Sequence, residues 1–146
     1  MYFVDRKKIE QTLQHLENVL AAFQEQQDFS CRINQYALER LAQLAIDCVL
    51  DVGNAMIDGF IMRDPGSYED IIEILTDEKV VQPEEGTALK QVVRLRKMLI
   101  QDYIAVQHEE VLAVLREHFA VLAAYPSHVR RYLEQELGPV SAFSNS

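Results

Sequence analysis

Residues 32–61, RINQYALERLAQLAIDCVLDVGNAMIDGFI, decide the fold. Ile33, Ala37, Leu41, Leu44, Ala45, Val49, Val52, Met56, Ile57 and Phe60 recur at helical spacing and cover more than one stripe. One wet face needs a single stripe; a helix with more is packed on several sides. This segment is therefore expected to be the central helix of the molecule.

Working outward, Ile9, Leu13, Leu16, Leu20 and Phe23 give a first helix from about Asp5 to Gln27. After the central helix, Arg63-Asp64-Pro65-Gly66 is a turn, and Ser67 with Asp70 three residues on opens a short helix to about Leu75. Pro83 starts a fourth helix, expected to continue to about Val106. A fifth runs from Glu109 to Tyr125, and Pro126 opens a sixth that ends before Gly138-Pro139. The tail Val140 to Ser146 is expected to be frayed or docked. Only five glycines and four prolines punctuate 146 residues, about half the usual share. A turn-rich β-sandwich is excluded on that ground. The expectation is an all-α, up-and-down helical bundle of five to six helices, one domain over residues 1–137 followed by a tail, 138–146.

The formal net charge is −9. An acidic total argues against broad, sequence-blind nucleic-acid binding, so no DNA partner is expected. The longest unbroken apolar run, Phe119 to Tyr125, is too short to span a bilayer. The N-terminus lacks the apolar core of a signal peptide, so a cytoplasmic protein with no membrane partner is expected. Cys31 and Cys48, about 25 Å apart along one helix, are beyond disulfide reach. His15, His108, His118 and His128 do not cluster, and no Cys/His pair has zinc spacing. No metal and no cofactor are expected.

Charge is uneven along the chain. Residues 87–104 carry four basic side chains and one acidic, the only positive element on an acidic protein. The plainer account is a solvated face making ion pairs with acidic neighbours. One charge resists it: Arg96 sits within the apolar stripe Leu89, Val92, Val93, Leu99, Ile100 and Tyr103. A guanidinium on a packing face must be paired, or must face a partner or ligand. Lys90, Arg94, Lys97 and Gln101 form a separate polar stripe. On the central helix, Arg40, Gln43, Asp47, Asp51, Asn54 and Asp58 form another, which is either an exposed face or a polar groove. In the second case Asp47 or Asp51 is expected to pair with Arg96. A metal enzyme built on these carboxylates would need Asp47, Asp51 and Asp58 to converge with no arginine nearby.

Arg96-Lys97-Met98-Leu99-Ile100-Gln101-Asp102-Tyr103 resembles the R-N-x-L-x-H-x-Y signature of HepT-like proteins in the HEPN superfamily. Asp51-x-Gly53-Asn54 fits the second helix of that family. The runs Asp58-Gly59-Phe60-Ile61-Met62-Arg63-Asp64-Pro65-Gly66-Ser67-Tyr68 and Leu137-Gly138-Pro139-Val140-Ser141-Ala142-Phe143 look like its YutE-like branch.

The resemblance implies a homodimeric helical bundle, kin to the substrate-binding subunits of nucleotidyltransferases. Active members are metal-independent endoribonucleases that act as toxins, with RNA cleaved at a dimer-interface groove. Their partner is a minimal nucleotidyltransferase antitoxin that adenylylates the motif tyrosine. Carried over, Arg96 and Tyr103 match the motif arginine and tyrosine, and Gln101 stands where the motif has histidine. Arg96, Gln101 and Tyr103 thus become the catalytic candidates, with Arg94, Lys97 and Lys90 for RNA phosphate and Asp47, Asp51 and Asn54 in support.

The glutamine matters because a metal-free ribonuclease needs a group that moves a proton, and an amide cannot titrate. His108, seven residues further on, reads as a surface histidine and a poor substitute. Tyr103 also has a plainer reading, as a packed core residue that continues the apolar stripe. Two readings stay open: a HepT-like ribonuclease weakened at Gln101, or a catalytically inactive dimeric scaffold for a nucleotide, RNA or nucleotidyltransferase partner.

Overall fold

The central stretch forms the longest helix, and its neighbours fold back around it. The computed structural model describes residues 2–139. Six α-helices follow in order: α1 Arg6–Glu25, α2 Arg32–Gly59, α3 Tyr68–Asp77, α4 Pro83–Ile100, α5 His108–Glu117 and α6 Phe119–Leu137. A short 3-10 turn, Tyr103–Ala105, separates α4 from α5. Among the described residues there is no strand. The tail from Val140 to Ser146 lies outside the described residues.

α2 packs on α1, α3, α4 and α5, which is why its apolar residues need several faces. Leu38, Ala45, Ile46, Val49, Leu50, Val52, Met56 and Ile57 are all buried. The first turns depart from this pattern. Ile33 is 74% exposed, Ala37 is exposed, and Leu41 and Leu44 are half-buried. All-round packing begins only at Leu38.

The helix starts carry the expected chemistry. Asp5 accepts from the Lys8 amide at 3.0 Å and Ser67 from the Asp70 amide at 3.0 Å, each satisfying a free first-turn N–H. At the head of α4, Glu85 reaches back to the Gln82 amide at 2.8 Å. Near both limits of the described residues the chain is fastened to the bundle. The Phe3 amide donates to the Gly59 carbonyl at 3.2 Å, and Arg6 donates to the Gly138 carbonyl at 2.8 Å. Gly138 has φ 82°, a conformation in which glycine carries no Cβ penalty. Arg130 ties α6 to α1 through Glu10 and Glu17 at 2.7–3.1 Å.

Two boundaries differ from the periodicity. α4 stops at Ile100 rather than running to Val106. The amides of Gln101 and Asp102 both turn onto the Lys97 carbonyl, and the Met98 sulfur accepts from the Gln107 amide at 3.1 Å. These contacts close the helix and redirect the chain. The α5–α6 break falls at His118, whose ring bonds Gln91 of α4 at 2.6 Å. Pro126 therefore lies inside α6, not at its start. A proline there forfeits one backbone bond and strains a helix, and here it is buried beside Tyr125 in the core.

Tyr125 is fully buried, and its hydroxyl donates to the Val49 carbonyl of α2 at 3.0 Å. Burial pushes its phenol far above the ordinary range, so it remains a donor. Nearby, α3 crosses α2 at Gly53, where a Cβ would meet Ile71 Cγ2 at 2.6 Å. Replacing Tyr125 by phenylalanine removes one buried hydrogen bond without opening a cavity. The expected loss is about 1 kcal/mol in urea unfolding, and an unchanged midpoint would deny the bond its role.

Candidate functional site

α4 carries four cations, and the structure treats one of them differently. Lys90 is paired with Glu73 of α3, Arg94 with Glu69 of α3 at 2.9 Å, and Lys97 with Asp102 at 3.7 Å. Arg96 makes no ion pair among the described residues. Its Cζ lies 4.2 Å above the Tyr68 ring, and its Nε is buried with no hydrogen-bond partner. The polar stripe on α4 thus behaves as the ion-pairing face of the plainer account, while Arg96 keeps its charge unneutralised by contact.

The expected pairing of Arg96 with Asp47 or Asp51 does not form. α3 folds back so that its first two residues each take one arginine: Tyr68 the face of Arg96, Glu69 the end of Arg94. Asp47 still senses Arg96 at longer range. Burial, and then the charge of Asp51, hold its carboxyl above the usual range, while Arg96 and Arg40 pull the other way. Asp51 and Asn54 are exposed and line a cleft of about 250 Å³ against Lys8 and Thr12 of α1. The α2 stripe therefore divides between two sites. Arg94 and Lys97, with Met98, Asp102 and Glu110, line an open groove of about 780 Å³ between α4 and α5.

The three motif residues share one end of the bundle. Arg96 is on the penultimate turn of α4, Gln101 is its C-cap, and Tyr103 begins the 3-10 turn. Because the helix has ended, Tyr103 is not on the α4 stripe that its spacing suggested. It is 65% exposed, with Ile104 at 91%, so the reading of Tyr103 as a packed core residue fails. Gln101 is exposed too. His108 is no free surface histidine: its Nε2 bonds Glu39 of α2 at 2.7 Å. That contact sets the start of α5 against the α2 turn that follows Tyr36, itself 62% exposed.

Tyr68 is the site residue that helical spacing does not single out. The available signal is an aromatic directly after the capping Ser67, followed by Glu69, but its contact with α4 is long-range. The Cys48 thiol, by contrast, is pushed up to about 11 by burial and stays unreactive. Among the described residues no group of three or more His, Cys, Asp or Glu side chains could hold a metal ion. No described helix is long and apolar enough to cross a membrane.

Comparison with known proteins places this geometry. YutE of Bacillus subtilis (strain 168), a candidate RNase, is 52% identical over 143 residues, covering 98% of this chain and 99% of its own length. The solved structure of YutE, there a cytosolic protein of unknown function, matches with a TM-score of 0.95 over 98% of this chain and 100% of that one. Two toxin–antitoxin structures share the fold. One, solved with AMP-PNP, has 17% identity and a TM-score of 0.74 over 83% of this chain and 96% of its own. The other, an MntA-HpeT mutant, has 18% identity and a TM-score of 0.63 over 84% of this chain and 92% of its own. The family model for HepT-like ribonucleases matches residues 8–129, and the chain belongs to that family.

Proposed function

We propose that this protein is a HepT-type ribonuclease, the toxin-type component of a toxin–antitoxin system, cleaving RNA without metal at a groove between two copies of the chain. The observation that carries the reading is Arg96. It is the one α4 cation whose charge no carboxylate neutralises among the described residues. A guanidinium so placed can take a phosphate through its in-plane N–H groups and stabilise the charge that builds on phosphorus. Lys90, Arg94 and Lys97 contribute less, because phosphate must compete with the glutamates and aspartate they already hold.

Exposed apolar side chains support the dimer. Ile33 and Tyr36 on α2 and Tyr103 and Ile104 after α4 are all solvent-facing in the single chain, apolar area that a second copy would remove from water. Exposure of Tyr103 also suits an adenylylated hydroxyl, consistent with a minimal nucleotidyltransferase antitoxin working in the cytoplasm. A specific observation favours the second reading, an inactive dimeric scaffold: Gln101 has no titratable proton and makes no side-chain hydrogen bond among the described residues.

Incubating the protein with single-stranded RNA in EDTA separates the two. Slow cleavage is expected; none at all, with RNA still bound, would establish the scaffold. Sedimentation at micromolar concentration is expected to give twice the 16.8 kDa chain mass. A monomer would remove the shared groove.

A further inference from the structure

An arginine can be held by a carboxylate or by a ring, and the choice decides what it has left to offer. A carboxylate takes the in-plane N–H edge, the same edge a phosphate needs. An aromatic face takes the flat side and leaves the edge open. Arg96 is held the second way, with Cζ 4.2 Å over the Tyr68 ring. Its Nε is buried without a partner, whereas its terminal nitrogens make no bond within the described residues and are not among the buried unpaired atoms.

The ring is itself anchored. Asp70 accepts from both terminal nitrogens of Arg63, at 2.8 and 2.9 Å, and from the Gly66 amide at 2.8 Å. Ser67 caps the first turn of α3 immediately before Tyr68. Glu69 then holds Arg94 and Glu73 holds Lys90, fixing α3 against α4 on the polar side of Arg96. The clasp is elaborate for an exposed turn, and the chain entering it includes Ile61 at φ 57°, a costly conformation for a β-branched residue. All of this ends in one aromatic residue that is 48% exposed.

We infer that Tyr68 is a positioning residue for Arg96: its ring sets the plane of the guanidinium and shields its flat side, leaving the terminal N–H groups aimed outward for an RNA phosphate. The inference rests on the ribonuclease reading above. What matters is the ring face, so the hydroxyl is dispensable.

The test uses the full chain with Tyr68→Leu, Tyr68→Phe, Arg96→Ala and the Tyr68→Leu/Arg96→Ala pair. Single-turnover cleavage of a single-stranded oligoribonucleotide in EDTA is read beside the melting temperature and the NMR signal of the Arg96 Nε–H. Tyr68→Leu is expected to slow cleavage about tenfold with little change in melting, while Tyr68→Phe retains the parental rate. The ring-current displacement of the Arg96 Nε–H signal persists in the phenylalanine variant and vanishes in the leucine variant. In the Arg96→Ala background, Tyr68→Leu costs nothing further. Full cleavage by Tyr68→Leu beside a defective Arg96→Ala overturns the inference alone, as does an additive loss in the pair. An Arg96→Ala variant that behaves as the parent overturns the ribonuclease reading, and the inference with it.

Discussion

A Gln101→His variant is expected to cleave single-stranded RNA in EDTA roughly 10²–10⁴-fold faster than the parent, the usual size of a general acid–base contribution. The reason is local. Gln101 caps α4 with φ −97° and ψ −45°, is exposed, and donates its backbone amide to Lys97. A histidine can occupy that backbone without strain, and no side-chain hydrogen bond among the described residues is lost in the exchange. An imidazole there titrates near neutrality, and the carbonyl end of the helix favours its charged form. The parent should therefore show a flat rate between about pH 5 and 8, and the variant an inflection near the ordinary histidine pKa of about 6.5. Equal rates for the two proteins would mean that the proton is moved elsewhere.

Removing the guanidinium is the converse experiment. Arg96→Ala is expected to lower single-turnover cleavage by about 10²–10³-fold, the cost of losing one charge-stabilising donor at the transition state. Its effect on melting should be small, because no ion pair and no hydrogen bond among the described residues breaks with it. Arg94→Ala gives the contrast. It breaks an exposed pair with Glu69, a contact of small worth, and should leave most of the cleavage intact. A similar loss from both variants would indicate a diffuse basic surface in place of one phosphate site.

How far the residues alone carry depends on where the information lies. The core of α2 from Leu38 onward, the Ser67 cap and the Pro83 start are local: apolar period, hydroxyl and fixed φ sit in the segments they shape. The end of α4 is not local. Gln101 to Val106 contains neither glycine nor proline, and the helix stops because Met98 receives the Gln107 amide and Glu39 receives His108. The same holds at His118, drawn to Gln91 across the bundle. Pro126 is a strong local signal for a helix start, yet it lies inside α6, whose preceding residue Tyr125 is held across the bundle by the Val49 carbonyl of α2.

The site divides along the same line. Spacing alone sets Arg96 within an apolar stripe, and among the described residues it is the α4 cation left without an ion pair. Its partner was expected on α2, where the carboxylates are, because that pairing follows from charge alone. The structure gives it Tyr68 instead, since α3 folds back with an aromatic and a glutamate side by side, matching Arg96 and Arg94 in turn. Tyr103 lost its place on the α4 stripe when the helix ended early, and gained the exposure that a modifiable hydroxyl requires.

The central claim is that Arg96 holds the RNA phosphate and that only the proton carrier is weak. The measurement that tests it most directly compares Gln101→His with the Gln101→His/Arg96→Ala double variant, in single-turnover cleavage of single-stranded RNA in EDTA. The account predicts a gain in the first that is abolished in the second. A double variant that cuts as fast as Gln101→His would contradict it.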